Sequence, residues 1–586
     1  MNKYKITILP DNIEISVEEN TTFIKVLTEN GIKFEFPCGG AGKCKKCKVK
    51  IFKKSGQEEV LACQLKVTED LAVEILKKEQ KHEILTEGVE RQVVLDPLIK
   101  KVYLELPRPS LEDNRDDWKR VAGNTGIKTN LKILQDLPEK IRESDFKVTL
   151  VLTGDEIVAI ESRDTSDKLL GMAFDIGTTT IAGYLLNLKT GRELIRVSAL
   201  NPQTKYGADV ISRIKVASES KEGLEKLHKE VVAEINNLIE KAVKETGYKP
   251  EEVYALTIAG NTTMHHLLLK IQPKYLARAP YVPVVTERVI VDAGDIGIRI
   301  NPAGKVFILP NIAGFVGADT VAAALAAEMD KSDELKLLID IGTNGEMVLG
   351  TKGRLFACST AAGPAFEGAH ISCGMRGAPG AIDHIRIDEE LEYTVIGETL
   401  PSGICGSGLL DVVAELLKAG IVDKNGRILK PEGVTSELGQ KYRDRIVDIN
   451  GIRAFILEEN TATGQPVYIN QKDIRELQLA KGAIAAGIEI LLKTFNAKVE
   501  DISEVFLAGA FGNYLKPESA CEVGLIPREL EGKIKAIGNA AGGGAKLALL
   551  SEKEYERAVM ISKKIHYIEL STEPEFSSVF AKNLGF

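Results

Sequence analysis

The chain is poor in three things, and each shortage excludes something. No apolar run approaches the ~18 residues that read as a membrane span. Positive charge is not in excess: 76 Lys and Arg face 84 Asp and Glu, a net charge of −8. That balance argues against general nucleic-acid binding. Cysteine is sparse, with eight in 586 residues. A Walker loop (GxxxxGK[ST]) is missing, as is a GxGxxG set between strand and helix. The opening stretch MNKYKITILPDNIEI alternates like a strand and lacks the apolar block of a signal peptide. A cytoplasmic protein is expected, with neither membrane nor nucleic acid as partner. The remainder is ordinary globular composition, 44% hydrophobic and 27% charged. Its length suggests roughly three or four domains.

The few cysteines are unevenly spread. Cys38, Cys44, Cys47 and Cys63 come early, and the next is Cys358. In a large intracellular chain such clustering points to metal ligands rather than disulfides. The run CGGAGKCKKC followed by the distant Cys63 gives one Cys-x2-Cys, a glycine-rich loop before it and a single remote partner. Four thiolates in that pattern suit a 2Fe–2S cluster. Glycines 39, 40 and 42 would let backbone N–H groups approach its sulfides. A structural zinc site is the alternative, but it usually pairs two short knuckles. Around the cysteines, YKITIL and IEISV read as a hairpin, TTFIKVLTENG as a short helix ending at Gly31, and KVKIF as a strand. The module resembles plant and vertebrate ferredoxins, a β-grasp fold over about 1–80, with one extra residue in its first cysteine gap. Lysines 43, 45, 46, 48, 50, 53 and 54 crowd it. They read as a solvated face or as a docking rim for an acidic redox partner.

Residues 81–115, with PRPSLEDNRDDW, read as linker. KTNLKILQDLPEKIRE looks helical and FKVTLVLTGDEIVAIES reads as a hairpin turning at TGDE. Together they suggest a small α+β domain over 116–168 that acts as a spacer or dimerisation element.

The strongest internal signal is a repeat. MAFDIGTTTIAGYLL begins at Met172 and LLIDIGTNGEMVLG at Leu337. Each reads as strand, Asp-Ile-Gly-Thr turn, strand, and points to a duplicated architecture. Backbone N–H groups and threonine hydroxyls in such turns can hold phosphate oxygens, and an aspartate at the strand end can reach Mg²⁺ through water. Two facing hairpins would clamp a nucleoside triphosphate. Farther on, DISEVFLAGAFGNYL ends a strand in a glycine turn, and IGNAAGGGAKLALLS runs from glycines into a small-residue helix. The adjacent His265 and His266 of IAGNTTMHHLLL point in different directions on a helix and read as core or surface histidines rather than metal ligands. Cys358 and Cys373 flank a long glycine-rich segment and read as buried small residues. Cys405 reads as a packing residue at a helix start.

DIGTTT, DIGTNGE, FLAGAFGNYL and AGGGAKLAL together resemble, in order and spacing, the acetate-kinase, sugar-kinase, heat-shock-chaperone and actin superfamily. The resemblance implies a two-lobed, ribonuclease-H-like ATPase domain, with lobes over 169–335 and 336–586. It implies Gly177, Thr178, Thr179, Thr180, Gly342, Thr343 and Asn344 around ATP phosphates. Asp175 and Asp340 would lie near Mg²⁺ and position the attacking water, and Gly509, Phe511 and Gly543 would lie near adenosine. Gly509-Ala510 departs from the paired glycines usual in the adenosine motif.

CGGAGKCKKC, LACQ, NPQTKYGADVISRI, IAGNTTMHHLL, LLIDIGTNGE and SGICGSGL, taken in order, resemble the reductive activators of corrinoid enzymes over nearly the whole chain. A related variant carries 4Fe–4S clusters at its C-terminus. Here no cysteine follows Cys521, which places the chain with the 2Fe–2S type. The resemblance implies an ATPase that passes one electron from its cluster to the Co(II) corrinoid of a partner and restores Co(I). That partner would be a corrinoid iron–sulfur protein or a methyltransferase corrinoid subunit. A low-potential electron donor and a homodimer are also expected. The transfer is uphill from a plant-type cluster near −400 mV. A coupling of about 1–3 kcal/mol between sites, at about 59 mV per tenfold for one electron, would contribute roughly 40–130 mV. The alternatives are an activator of another radical or redox enzyme, a nucleotide-regulated electron carrier, and a small-molecule kinase.

Overall fold

The computed structural model describes residues 3–9, 13–30, 48–53, 56–74 and 93–586, apart from single residues at 124, 208, 369 and 513. The chain forms two compact units, 1–82 and 83–586. Cys38, Cys44, Cys47 and Gly31 lie outside the described residues, as do Lys43, Lys45, Lys46 and Lys54.

The first unit is a five-stranded sheet. Lys3–Leu9 pairs antiparallel with Ile13–Glu18 and parallel with Leu71–Glu74. Lys48–Lys53 pairs antiparallel with Leu71–Glu74 and with Gly56–Leu61. Alternation places Ile6, Ile8, Val49, Ile51 and Val73 on one face, where Phe23, Val26 and Leu27 of helix Phe23–Glu29 cover them. This is the expected β-grasp arrangement of a sheet crossed by one helix.

The second unit begins with a strap. Residues 93–99 are not free linker: Leu98 and Ile99 are buried in a central core. Asp96 N–H donates to Leu550 O at 3.0 Å, and Glu552 N–H donates to Asp96 O at 2.8 Å. Lys100–Glu105 then pairs antiparallel with Lys147–Thr153, which pairs with Glu156–Ser162. Helices Asp117–Ala122 and Leu131–Glu143 complete this small layer. The sequence pattern reads 100–105 as linker, and in the structure these residues form a paired strand. The strand is short, and Pro107 and Pro109 just beyond it dominate the local pattern.

The rest is built around two six-stranded sheets that share a five-strand arrangement. In the first, Leu170–Ile176 and Thr180–Asn187 form a hairpin extended by Glu193–Leu200, and Val253–Gly260 and Lys305–Ile308 add in parallel on the other side. In the second, Leu335–Ile341, Gly345–Gly350 and Leu355–Thr360 repeat the antiparallel part, and Ile502–Ala508 and Ile534–Gly538 repeat the parallel part. The DIGT repeat seen in the sequence is the hairpin turn of each sheet.

Helices Ala318–Ala326 and Ala540–Leu550 lie in the central core with residues of both sheets, including Ala173, Phe307, Leu338, Val348 and Phe506. Small residues allow their close approach. A Cβ on Gly544 would lie 2.0 Å from Ala322 O, and one on Gly542 would lie 2.6 Å from the Tyr184 hydroxyl. Thr257 Oγ1 donates to Ala545 O at 2.8 Å. The helix carrying AGGGAKLAL, although late in the chain, therefore packs on strands of the first sheet.

Gly544→Ala is expected to cost about 1–3 kcal/mol through overpacking against backbone. Gly532→Ala, where a Cβ meets nothing within 4 Å, should stay within about 0.5 kcal/mol of the parent. Calorimetric unfolding checks this, and equal midpoints for the two variants would contradict the packing argument.

Candidate functional site

The two DIGT turns are built alike. Gly177 N–H donates to Thr180 O and Gly342 N–H to Asn344 O, both at 2.9 Å. At Gly177 a Cβ would sit 2.7 Å from Thr180 O, so the turn requires glycine. At Gly342 the nearest atom would be 4.0 Å away, and sterics alone do not demand glycine there.

The first turn is held from behind by two stretches to which the sequence pattern assigns no role. Asn201 donates its side-chain amide to Gly177 O at 2.9 Å, and its backbone N–H donates to Thr179 O at 2.8 Å. Arg213 is fully buried and donates to Thr178 O, to Gly207 O at 2.9 Å and to Gln203 Oε1 at 3.2 Å. Burial pushes its guanidinium down to about 10, far enough above neutrality to stay charged. Asn261 donates to Thr178 Oγ1 at 3.0 Å and caps helix Thr262–Leu268 by accepting from Met264 N–H at 3.0 Å. The motifs NPQTKYGADVISRI and IAGNTT thus form a polar cradle for the first turn. His265 and His266 are core residues with rings 5.8 Å apart. His266 Nδ1 donates to Thr262 O at 2.7 Å, and its Nε2 accepts from Val284 N–H at 3.1 Å. Burial pushes His265 down to about 4.

Four carboxylates interact across the cleft: Asp175, Asp319, Asp340 and Glu346. Each keeps a partly exposed edge, but protein atoms crowd the remainder. Burial first, and then the charge of Asp319, raises Asp175 to about 7. Burial, then Asp319 and Asp175, raises Asp340 to about 7. Burial raises Asp319 to about 6, and Glu346 is raised well above the usual range by burial and by Asp319 and Asp340. No cationic side chain is among the causes of these shifts. Asp175 accepts from Asn539 at 2.9 Å, and the same Asn539 caps helix Ala540–Leu550 by accepting from Gly542 N–H at 2.7 Å. Among the described residues no three of His, Cys, Asp and Glu converge closely enough to ligate a metal directly.

The turns meet at a third carboxylate-bearing element. Thr179 Oγ1 and Thr343 Oγ1 lie 3.4 Å apart. They donate to the two oxygens of Glu367, at 2.9 Å and 2.7 Å respectively. Asn201, Arg213, Asn261, Asp319, Glu346, Glu367 and Asn539 are all site residues to which the sequence reading gives no individual role, although Asn201, Arg213, Asn261, Glu346 and Asn539 lie within its motifs. Two have a visible signal: Asn261 stands at a strand-to-helix junction where a cap is expected, and Glu367 is the only acid between Cys358 and Ile382.

Asp175, Thr178, Thr179, Asp340 and Thr343 therefore gather in one cleft, with Gly177, Thr180, Gly342 and Asn344 forming the turns. Gly509 adopts φ +88° directly over Asp340, where a Cβ would come 2.7 Å from its Oδ1. Phe511 stacks on Phe366 with ring centroids 4.8 Å apart. Gly543 lies buried in the first turn of helix Ala540–Leu550. Cys358 and Cys405 are buried and Cys373 is half-buried, all three as free thiols. In the first unit Cys63 is a buried free thiol at the edge of the core, and Lys53 pairs with Glu58 at 2.5 Å.

Known families match this chain in series. The 2Fe-2S iron-sulfur cluster binding domain matches 6–68, the RACo linker region 88–167, the RACo middle region 170–332, and the C-terminal domain of RACo, the ASKHA domain, 334–586. The segment that reads in the sequence as a small middle domain falls within the family's linker region. A corrinoid activation enzyme of Eubacterium limosum, RamQ, is 34% identical over 98% of this chain and 97% of its own. A [Co(II) methylated amine-specific corrinoid protein] reductase of Methanosarcina barkeri is 26% identical over 71% of this chain and 77% of its own. The solved structure of a reductive activator for corrinoid, iron-sulfur protein covers 100% of this chain and 98% of its own, at 37% identity and a TM-score of 0.77. With its sheet-and-helix first unit, its twinned sheets and its relatives matched end to end, the chain belongs to the reductive activators of corrinoid proteins, the RACo family.

Proposed function

We propose that this chain is an ATP-dependent reductive activator that delivers one electron to the Co(II) corrinoid of a partner protein and restores Co(I). The observation that carries the reading is the meeting of two DIGT turns over one acidic cleft, in a chain whose first unit matches a 2Fe–2S binding domain. Cys38, Cys44, Cys47 and Cys63 are the residues that would hold a 2Fe–2S cluster. When bound it supplies one-electron chemistry. Cys63 fits this role, being unpaired and sheltered from bulk water.

The cleft would hold ATP with Mg²⁺. The Thr178, Thr179 and Thr343 hydroxyls and the turn backbone at Gly177, Thr180, Gly342 and Asn344 would donate to phosphate oxygens. Asp175 and Asp340 fit a hard cation, because their donor set is all oxygen and among the described residues no cationic side chain is a cause of their raised values. Mg²⁺ characteristically takes one or two carboxylates and fills its remaining positions with water and phosphate, which suits a cleft without direct three-residue ligation. Gly509, Phe511 and Gly543 line the route proposed for adenosine. ATP promotes the transfer only through different affinities for two states of the complex, and closure of the cleft on the phosphates supplies that difference. The partner is a corrinoid iron–sulfur protein or a methyltransferase corrinoid subunit, the donor is a low-potential carrier, and the assembly is a homodimer. No helix among the described residues is long and apolar enough to cross a membrane.

Cobalt absorbance under anaerobic conditions checks the reading. With Mg–ATP, a reductant and a Co(II) corrinoid protein, the chain should generate Co(I), and Cys63→Ser should reduce this to background while nucleotide binding is kept. ATP turnover indifferent to every corrinoid protein offered would favour a nucleotide-regulated electron carrier instead. Thr343→Val should weaken ATP binding about tenfold or more, the scale of a lost hydrogen bond to a charged group, as read by titration calorimetry.

The raised aspartates carry a pH signature. Their unfolded value lies near 4 and their folded value near 7, so the folded state binds more protons between those limits. Stability is then fully present below pH ~4 and is lost as pH rises through about 7. In chelator, the thermal midpoint should fall from pH 5 to pH 8 and be partly restored by Mg–ATP. Asp340→Asn should flatten the slope, and an unchanged slope would contradict the assignment.

A further inference from the structure

The glycine-rich segment 358–382 carries a single acid, Glu367, and its neighbours fix that residue on both sides. Phe366 is stacked on Phe511. Beyond the glutamate, Ser372 donates to Asp473 Oδ1 from its backbone N–H at 2.8 Å and from its hydroxyl at 3.0 Å. Between these anchors the Glu367 carboxylate spans the cleft, one oxygen on each DIGT threonine. A carboxylate and a terminal phosphate offer hydroxyl donors the same thing, a fan of anionic oxygens. Both cannot hold Thr179 and Thr343 at once, and like charges repel. A triphosphate that takes the two hydroxyls leaves Glu367 beside its terminal phosphorus, as an acceptor with no donor. A water molecule can donate to that carboxylate while turning a lone pair toward phosphorus. The two aspartates are less suited to that role, because Asp175 is engaged by Asn539 and Asp340 is roofed by Gly509.

We propose that Glu367 is the catalytic residue of ATP hydrolysis, orienting the attacking water and accepting its proton; the assignment rests on the reading of the cleft as an ATP site. The water oxygen forms a bond to the γ-phosphorus. The bond from that phosphorus to the β–γ bridging oxygen breaks, and its electron pair leaves with ADP. The proton passes to Glu367 and from there to inorganic phosphate. The carboxylate that joins the two turns is the one that activates the water.

The experiment measures phosphate release and Mg–ATP affinity for the full chain and for Glu367→Gln and Glu367→Asp. A general base contributes about 10²–10⁴-fold. Glu367→Gln should therefore lower kcat by at least about 10²-fold, with nucleotide affinity unchanged or tighter because a competing anion is gone. Glu367→Asp should recover part of the rate. A parent chain that releases no phosphate under any condition overturns the ATP reading itself. A parent that turns over while Glu367→Gln keeps its rate overturns the role of Glu367 alone. Loss of affinity in step with loss of rate in both variants would make Glu367 a structural brace and also overturns the proposal.

Discussion

Everything in the second unit depends on how closely two helices can approach each other. Where Gly544 passes the carbonyl of Ala322 there is no room for even a methyl group. That single approach lets one buried layer serve two sheets, so each sheet is covered on its inner face by the same pair of helices. It also fixes the height of Asn539, at the head of one helix, and therefore its reach to Asp175. Hydrophobic burial supplies the driving force, but the absence of side chains at a few glycines decides the geometry.

The cleft is acidic. Fold and packing bring four carboxylates together, and among the described residues no Lys or Arg is a cause of their shifts. Such a set is costly when ionised, and a protein tolerates it where a cation and an anion arrive together. On the other side of the first turn the balance is reversed. Arg213, buried and bonded to two backbone carbonyls and to Gln203, holds the loop. The cleft is acidic where a metal would sit and neutral or donor-rich where phosphate oxygens would sit.

Much of this was legible in the sequence. The twin DIGT strings pointed to the duplicated sheet because hairpin turns at strand ends are written locally. The cysteine spacing pointed to the first unit's class for the same reason. What escaped was long-range. Glu367 reaches its partners Thr179 and Thr343 from 188 and 24 residues away, and no local pattern announces a side chain that bridges two loops. Arg213 looked like an ordinary helix residue, since nothing in VISRI says that its guanidinium will be swallowed. Strand Lys100–Glu105 was hidden because its pairing partners, from Leu152 for Lys100 to Lys147 for Glu105, lie far along the chain, beyond any hairpin rule.

The strap at Asp96 gives the helix Ala540–Leu550 a second meaning. Its eleven residues make a rod of about 16 Å at 1.5 Å per residue. One end is pinned to Asp175 through Asn539. The other is stitched to Asp96, among the first described residues of the second unit. A displacement of Asn539 along the helix axis would therefore be felt at the hydrogen bonds that Asp96 makes to its far end.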